Sequence, residues 1–244
     1  MQPVLGPVNS DLNSIECIIL AGGLGTRLRS EVPDLPKCMA PVAGHPFLFH
    51  VIESAKKQGI TRFIFSLGYL HEHIEKYLND TFPDLQYSIA LEEDPLGTGG
   101  AIRLACSKAT AANVMILNGD TLFRIDAMAL LSFHEQQHAD CTLALKPMTN
   151  FNRYGVVEIN KEGQVIQFKE KQQYEFGLIN GGIYLLNTAS FLALPFPEKF
   201  SFEKDYLENY HNSVKMMGVI QEGYFIDIGI PEDFKKAQSD LLEQ

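Results

Sequence analysis

Residues 20–37 read LAGGLGTRLRSEVPDLPK and directly follow the apolar run IECII at residues 15–19. Glycine lacks a Cβ atom and adopts positive φ without strain, so a glycine loop at a strand end lets backbone N–H groups approach anionic oxygens. The stretch holds three glycines and three cations: Gly22, Gly23, Gly25, Arg27, Arg29 and Lys37. It therefore predicts a polyphosphate site, with a strand-to-helix turn that binds no ligand as the alternative.

The loop departs from the two commonest glycine-loop motifs. A dinucleotide fingerprint starting at Gly23 requires glycine or alanine where Leu28 stands. A P-loop requires Gly-Lys-Ser/Thr where Thr26, Arg27 and Leu28 stand. The sequence thus favours neither an NAD site nor a Walker ATPase.

Apolar runs alternate with helical patterns, which is typical of an α/β fold: a mixed, mostly parallel sheet with helices on both faces. We predict strands near 15–20, 63–68, 87–91, 114–118 and 141–145, and helices near 47–58, 71–78, 98–109 and 126–138. After about residue 151, a hairpin with Gly163 in its turn and helices near 201–210 and 231–242 indicate antiparallel additions in the C-terminal half. We expect one domain over 1–244, with halves of about 14–150 and 151–244.

Composition restricts the classes of function. The net charge of −10 argues against a nucleic-acid partner, because such binding depends on Lys and Arg neutralising phosphates. The four cysteines form no C-x-x-C pair, which indicates a reducing cytoplasm. The N-terminus has neither a basic segment nor an apolar core of a signal peptide, and no run of about 18 apolar residues predicts a membrane span. We expect a soluble cytoplasmic protein without a membrane partner.

Five further motifs follow the glycine loop in order: EDPLGTGGA at 93–101, NGD at 118–120, FKEK at 168–171, NGGIY at 180–184 and FIDIG at 225–229. Together with the loop and its Pro-Lys pair, they resemble the sugar-1-phosphate nucleotidylyltransferase family from residue 15 to about 234. The resemblance implies that family's Rossmann-like nucleotide-diphospho-sugar transferase fold. It also implies attack of a sugar 1-phosphate on the α-phosphorus of a nucleoside triphosphate, with release of pyrophosphate.

Two aspartates are candidate metal ligands. Asp120 follows the apolar run at 114–117 and so should project from the carboxyl end of a strand, where open α/β sheets bind ligands. Asp227 has a similar setting, and a pair of carboxylates suits Mg²⁺, the cofactor that the resemblance implies. For either aspartate alone, a turn or a helix cap is the alternative.

The resemblance assigns the other site residues by position. It implies catalytic roles for Arg27, Lys37, Asp120 and Lys171. It places the nucleotide at Leu20, Gly22, Gly23, Gly25, Thr26, Glu93, Gly97 and Thr98. It places the sugar phosphate at Gly155, Glu170, Lys171 and Asn180. Taken without the resemblance, Glu170 and Lys171 read as an exposed strand end with solvated charge.

The reaction so implied needs no general base, because a phosphate monoester with a second pKa of about 6 is already largely dianionic at neutral pH. The pattern LRSEVPDLPK…PLGTGGAI resembles the guanylyltransferases that act on D-glycero-D-manno-heptose 1-phosphate, then those for mannose 1-phosphate. GTP and that heptose phosphate are therefore the expected substrates. A different nucleotide and sugar pair, or a non-catalytic sensor of nucleotides or sugar phosphates, is the alternative. Residues 1–13 match no motif, and we expect either disorder or a cover for a neighbouring subunit in a homo-oligomer.

The HEQQH stretch at 134–138 matches the zinc protease pattern H-E-x-x-H. At helical spacing His134 and His138 share a stripe with Leu130 and Leu131, which predicts imidazoles packed at the edge of the core. A third ligand motif is lacking, so the sequence argues against catalytic zinc.

Overall fold

The computed structural model describes residues 10–23 and 35–242. Gly25, Thr26, Arg27 and Arg29 lie outside the described residues. The strands of the first half are β1 (Glu16–Leu20), β2 (Pro41–Val42), β3 (His45–Pro46), β4 (Arg62–Leu67), β5 (Gln86–Leu91), β6 (Asn113–Asn118), β7 (Thr121–Phe123) and β8 (Cys141–Phe151). The strands of the second half are β9 (Val156–Ile159), β10 (Val165–Lys169), β11 (Tyr174–Asn187), β12 (Met216–Ile220) and β13 (Phe225–Asp227).

The helices lie between these strands. They are α1 (Phe47–Lys57), α2 (His71–Thr81), α3 (Gly97–Cys106), α4 (Ala127–Gln137), α5 (Thr188–Leu192) and α6 (Pro231–Asp240). Short 3₁₀ turns cover Leu12–Ser14 and Lys37–Met39. The helix predicted near 201–210 is a π-helix over Phe202–Glu208.

A nine-stranded mixed sheet forms the centre of the fold. Its path runs β10-β9-β11-β6-β1-β4-β5, and β8 and β12 extend it beside β11. The strands β6, β1, β4 and β5 are parallel, so their carboxyl ends meet at one edge. The strands β9, β10 and β11 pair antiparallel with their neighbours. The predicted α/β class, with antiparallel additions in the second half, is confirmed.

Helices cover both faces of the sheet because the strand side chains are apolar on both sides. On one face Ile19 and Phe65 pack with residues of α1, α2, α4 and α6. On the other face Ile18 and Ile64 pack with residues of α3, α5 and the π-helix. Burying one such large apolar side chain contributes about 1.5–3 kcal/mol. Both core layers therefore hold the strand ends at fixed positions.

The sequence pattern predicts no strand at the position of β11, which lies in the middle of the sheet. Its sequence carries Gly177 and the Gly181–Gly182 pair, which interrupt the alternating pattern of a strand. The pairing of β11 with β8 shifts register between Asn180 and Tyr184, and Gly182 has φ +73°. Glycine in a strand interior commonly marks such a bulge. A Cβ at Gly182 would lie 2.7 Å from the Asn118 amide nitrogen, so the strand can pass this residue only with glycine there.

Other bounds differ modestly from those predicted. The strand expected at 141–145 extends to Phe151 because β11 pairs with it over most of that length. The predicted hairpin after residue 155 is present as β9 and β10, and Gly163 in its turn has φ +84°. Among the described helices, none has the length and apolar character required to cross a membrane.

Candidate active site

A cleft of about 890 Å³ opens at the carboxyl ends of the parallel strands. This is the edge at which open α/β sheets bind ligands, and the volume falls in the usual range for small-molecule sites. Residues that follow β1, β4, β5 and β6 contribute to its lining, and the first turn of α3 forms one wall. The strand order β6-β1-β4-β5 separates the two ends of the cleft by three inter-strand steps, or about 14 Å at about 4.8 Å each.

At the β6 end, one lysine lies between two carboxylates. The Lys37 Nζ donates to Asp120 Oδ2 at 2.5 Å and lies 3.7 Å from Asp227 Oδ1. The two-stranded ribbon of β7 and β13 places Asp227 opposite Thr121, the residue after Asp120. The Gly229 N–H also donates to Asp227 Oδ1 at 2.7 Å. Asp120 and Asp227, which follow Lys37 by 83 and 190 positions, therefore lie close to the same ammonium. Their role as metal ligands stays a prediction.

The electrostatics of this group leave an excess of negative charge. Burial raises the pKa of Asp227, and the neighbouring Asp120 raises it further, while Lys37 and the Gly229 N–H oppose the shift. One ammonium faces two carboxylates, so a hard divalent cation would find oxygen ligands and a charge to neutralise. Within the residues the structure describes, no group of three or more His, Cys, Asp or Glu side chains is arranged to bind a metal. The donor set fits Mg²⁺, which binds through one or two carboxylates plus water and phosphate oxygens.

The start of the glycine loop lies in a tight position between two strands. A Cβ at Gly22 would lie 3.0 Å from Glu92 Oε1 and 3.1 Å from the Gly68 nitrogen. Leu20, Gly22 and Gly23 line the cleft, and their contact with a nucleotide stays a prediction. Arg27 and the rest of the loop lie outside the described residues, so their nucleotide roles stay predictions.

At the β5 end, the structure adds a carboxylate that the motif reading missed. Glu92 is half-buried and lines the cleft, and its Oε2 accepts the Leu96 N–H at 2.9 Å. Burial raises the pKa of Glu92, and the Leu96 N–H opposes that shift. The predicted residue Glu93 also lines the cleft but is exposed. Glu92 therefore provides the more desolvated acceptor in this part of the cleft.

The predicted residues Gly97 and Thr98 line the cleft and also join the two halves of the chain. The Thr98 hydroxyl donates to Glu203 Oε2 at 2.7 Å and accepts the Phe202 N–H at 2.8 Å. Gly97 has φ +72°, and a Cβ there would lie 2.6 Å from the Phe200 oxygen. Glu203 lines the cleft as well, and no motif in the sequence indicated it. The GTGG segment thus docks against the start of the π-helix.

The sugar-phosphate candidates lie apart from the cleft lining. Glu170 and Lys171 are exposed on the loop between β10 and β11. The Asn180 Nδ2 donates to the Tyr184 hydroxyl at 2.8 Å, while its Oδ1 accepts the Gly182 N–H at 3.1 Å. A Cβ at Gly155 would lie 2.5 Å from the Lys169 oxygen, which explains glycine at that crossing. The structure does not bring these four residues to the cleft wall, and their roles stay predictions.

The zinc-like motif forms part of the helix packing. His134 is buried, its Nδ1 lies 2.8 Å from Thr142 Oγ1, and its Nε2 lies 3.4 Å from Asn113 Oδ1. The prediction of a core-edge imidazole is confirmed for His134. It is wrong for His138, which is exposed at the C-cap of α4 with φ 48°. The helix ends at Gln137, so the helical spacing that paired the two rings stops one residue short.

The cleft at the ends of parallel strands, with a lysine and two carboxylates at one end, defines the class: an α/β protein suited to phosphorylated ligands. The family model described as nucleotidyl transferase matches residues 16–244. The chain belongs to the nucleotidyl transferase family, which confirms both the resemblance and the enzyme class.

Relatives and solved structures agree with this placement. The D-glycero-alpha-D-manno-heptose 1-phosphate guanylyltransferase of Aneurinibacillus thermoaerophilus is 50% identical over 227 residues, covering 93% of this chain and 98% of that protein. The enzyme of the same description from Campylobacter jejuni is 45% identical, covering 90% and 97%. The crystal structure of HddC from Yersinia pseudotuberculosis complexed with GMP-PN is similar with a TM-score of 0.83 at 35% identity, covering 93% of this chain and 99% of that chain.

Proposed function

We propose that the protein transfers a guanylyl group from GTP to D-glycero-α-D-manno-heptose 1-phosphate, giving GDP-heptose and pyrophosphate. The descriptions of the two relatives support both substrates, and the GMP-PN complex of HddC supports a guanine nucleotide. The structural observation that carries the proposal is that the two ends of the cleft hold different charged groups. A lysine with two carboxylates lies at the β6 end, and a half-buried carboxylate lies at the β5 end. A nucleotide bound with its phosphates near β6 and its base near β5 would place the phosphates beside the lysine and the base beside the half-buried carboxylate.

In the chemical step, an oxygen of the sugar phosphate forms a bond to the α-phosphorus of GTP. The bond from that phosphorus to the oxygen bridging to the β-phosphate breaks, and pyrophosphate leaves with the electron pair. The sugar phosphate is already dianionic near neutral pH, so no residue is required to remove a proton. The protein must instead align two anions and offset their repulsion.

The residues of this chain divide that task by position. Lys37 neutralises charge at the phosphates, and its contact with Asp120 fixes the ammonium before the substrate binds. The glycine loop, with Gly25, Thr26 and Arg27, cradles the triphosphate. Preorganised cations beside developing charge are the largest single contribution in many such reactions.

Asp120 and Asp227 would hold Mg²⁺, because they present oxygen ligands and, within the described residues, have one ammonium between them to neutralise their charge. When bound, the ion would neutralise phosphate charge and act as a Lewis acid. Lys37 is the cation that the described part of the chain supplies beside these two aspartates.

Glu92 provides the basis for choosing guanine. Guanine presents an N1–H and a 2-amino group side by side, and an ionised carboxylate accepts hydrogen bonds but cannot donate them. The Leu96 N–H occupies only part of the acceptor capacity of Glu92, since a carboxylate has about four acceptor positions. Adenine, cytosine and uracil lack this pair of adjacent donors, so a carboxylate here favours guanine.

The sugar phosphate is assigned to the second half of the chain, residues 151–244, and the nucleotide to residues 14–150. Lys171 would bind the phosphate, while Glu170, Asn180 and Gly155 would contact the sugar. The pairing of β11 with β6 and the bond of Thr98 to Glu203 across the division support a single domain. We also place the protein in the cytoplasm, where its four buried free cysteines would stay reduced and its product would serve surface polysaccharide synthesis.

Pyrophosphate release tests the proposal. Purified protein with Mg²⁺ is assayed with GTP, CTP, UTP, dTTP and ATP against manno-heptose, mannose and glucose 1-phosphates, and an EDTA arm tests the metal requirement. Release confined to GTP with the heptose phosphate is the expected result. Activity with mannose 1-phosphate or another pair corrects the substrate, and GTP binding without release from any pair indicates a sensor.

A further inference from the structure

Ser66 carries a buried hydroxyl that has no partner within the described part of the chain. The residue is 1% exposed, and its Oγ makes no hydrogen bond. Among the described residues, the Tyr77 hydroxyl is the only other buried side-chain polar atom without a partner. Glu16 accepts the Ala111 N–H, and Thr142 bonds to His134. Unpaired buried polar groups are uncommon because they lose their bonds to water without replacement. The hydroxyl therefore calls for a functional explanation.

The position of Ser66 supplies that explanation. It stands near the carboxyl end of β4, where it is opposite Leu20 of β1 and Ala90 of β5. Successive strand residues face opposite sides, so Ser66 shares a face with Ile64, which packs against α3. Ser66, Leu20 and Ala101 of α3 all line the cleft. Ser66 therefore lies at the floor of the cleft, and its buried hydroxyl is on the side of the sheet that α3 covers.

The strand order places this floor on the nucleoside side. Lys37 and its two carboxylates gather next to β6, whereas Ser66 is on β4, between the strands that carry Gly22 and Glu92. Two inter-strand steps, about 10 Å, separate β4 from β6. That separation is too large for one side chain to contact the phosphates held by Lys37, and it matches the part of the cleft beside Glu92.

We propose that the Ser66 hydroxyl hydrogen-bonds the nucleobase of the bound nucleotide and is, with Glu92, a specificity-determining group of the cleft. This inference rests on the proposed guanylyl transfer. A serine hydroxyl donates one hydrogen bond and accepts others, so it can pair with a purine edge that the carboxylate of Glu92 does not satisfy. The nucleobase then supplies the hydrogen-bond partner that the Ser66 hydroxyl lacks among the described residues.

The test compares Ser66→Ala with wild type for folding and for binding. Because the hydroxyl has no partner among the described residues, the melting temperature of the ligand-free variant should equal or exceed that of wild type. Calorimetry with GTP should show a dissociation constant raised about fivefold, the effect of one neutral hydrogen bond. Tyr77→Phe is the matched control, since it removes the other buried hydroxyl without a partner in the described residues, from helix α2 outside the cleft. It should leave GTP binding unchanged.

Two further ligands locate the contact. With 2′,3′-dideoxy-GTP the penalty of Ser66→Ala should persist, whereas with inorganic pyrophosphate it should be absent. Loss of the penalty with the dideoxy nucleotide would assign the hydroxyl to the ribose and overturn the base contact. A melting temperature lowered by more than about 3 °C would reveal a protein partner and also overturn it. Unchanged GTP affinity in the variant rejects the inference, while absence of GTP binding by wild type rejects the proposed function instead.

Discussion

The proposed nucleotide side and the proposed sugar-phosphate side of this enzyme are built differently. On the nucleotide side, Lys37, Asp120 and Glu92 follow buried strands or lie against them, and each has a defined hydrogen-bond partner. On the sugar-phosphate side, Glu170 and Lys171 are exposed on a loop, and their side chains make no hydrogen bond among the described residues. The side chains of the first side are held by contacts within the protein, whereas those of the second side are exposed to solvent.

This difference follows from the sheet. Parallel strands bring their carboxyl ends to one edge, so residues distant in sequence meet there with little freedom. The antiparallel additions place their connecting loops at the periphery, where solvent screens charges. Partly buried charges at the sheet edge therefore interact more strongly than the exposed pair, and substitutions on the two sides should differ in size.

The largest effect is expected on the nucleotide side, at Lys37. In Lys37→Met the ammonium that faces both aspartates is lost, and kcat/KM for pyrophosphate release should fall about 100- to 1000-fold, the effect of removing one preorganised electrostatic group. Lys57→Met is the control, because it removes the same charge from an exposed position at the end of α1. Circular dichroism checks folding. Activity within tenfold of wild type would remove Lys37 from the phosphate site.

The next effect tests the exposed side. Lys171→Ala should lower kcat/KM for the sugar 1-phosphate on the order of 100-fold, because this lysine is assigned to the attacking phosphate, while GTP affinity stays unchanged. Lys161→Ala, in the hairpin turn, is the matched exposed control. Steady-state kinetics with each substrate varied in turn separates the two sides. Equal activity of both variants would show that exposure at Lys171 means only a solvated charge.

A smaller effect is expected for base choice. Glu92→Gln should reduce the preference for GTP over ATP about tenfold, since the amide keeps an acceptor but loses the charge. The neighbouring Glu93→Gln, which is exposed, should change the preference little. The kcat/KM ratio for the two nucleotides measures this. A larger change in the preference for Glu93→Gln than for Glu92→Gln would favour Glu93, the residue that the motif indicated.

The same site gives a prediction for pH. Burial raises the pKa of Glu92, so its carboxylate takes up a proton at a higher pH than an exposed glutamate does. Protonation removes an acceptor from the base, and GTP affinity should fall as the pH drops through that raised value. Calorimetry on wild type and Glu92→Gln over an acidic series should show the steeper fall in wild type. The same loss of GTP affinity with falling pH in both proteins would show that a group other than Glu92 causes it.

The sequence predicted one side of the molecule better than the other for physical reasons. The strands before Gly22 and Asp120 are continuous apolar runs, so their ends could be located without tertiary information. The motif indicated Glu93, one position after Glu92. The alternation of side chains along β5 could have indicated Glu92 instead, because Ala90 is buried against α3 and Glu92, two residues later, shares its face. The bulged strand β11 could not be predicted from the sequence, because its glycines disrupt the alternation of apolar and polar residues. The strand is defined by its pairing with β6 and β8.

Ser66 and Glu203 belong to a third category. A serine that ends an apolar strand and a glutamate on a polar helix have no distinctive pattern in sequence. Their placement depends on which helix covers the strand and on where Thr98 meets the π-helix. Such residues become recognisable only from burial and partners.

The smallest effect on catalysis, and a distinct effect on stability, is expected at His134, which is remote from both sides. Its partner Asn113 starts β6, at the opposite end of that strand from the cleft. Burial lowers the pKa of His134 to about 4, and Asp140 opposes the shift. In the unfolded chain a histidine titrates near 6.5, so between about pH 6.5 and 4 the unfolded state binds more protons.

Stability from a neutral buried His134 is therefore fully present above about pH 6.5 and is lost as the pH falls toward 4, by at most about 1.4 kcal/mol per pH unit. His134→Gln removes this titration, so its free energy of unfolding should depend less on pH than that of wild type across this window. Urea denaturation at pH 7, 6 and 5 measures the difference, and pyrophosphate release at neutral pH should be nearly unchanged. Equal slopes would mean that the His134 ring takes up its proton at the same pH in the folded and unfolded states. Lost activity in a folded variant would extend the site beyond the sheet edge.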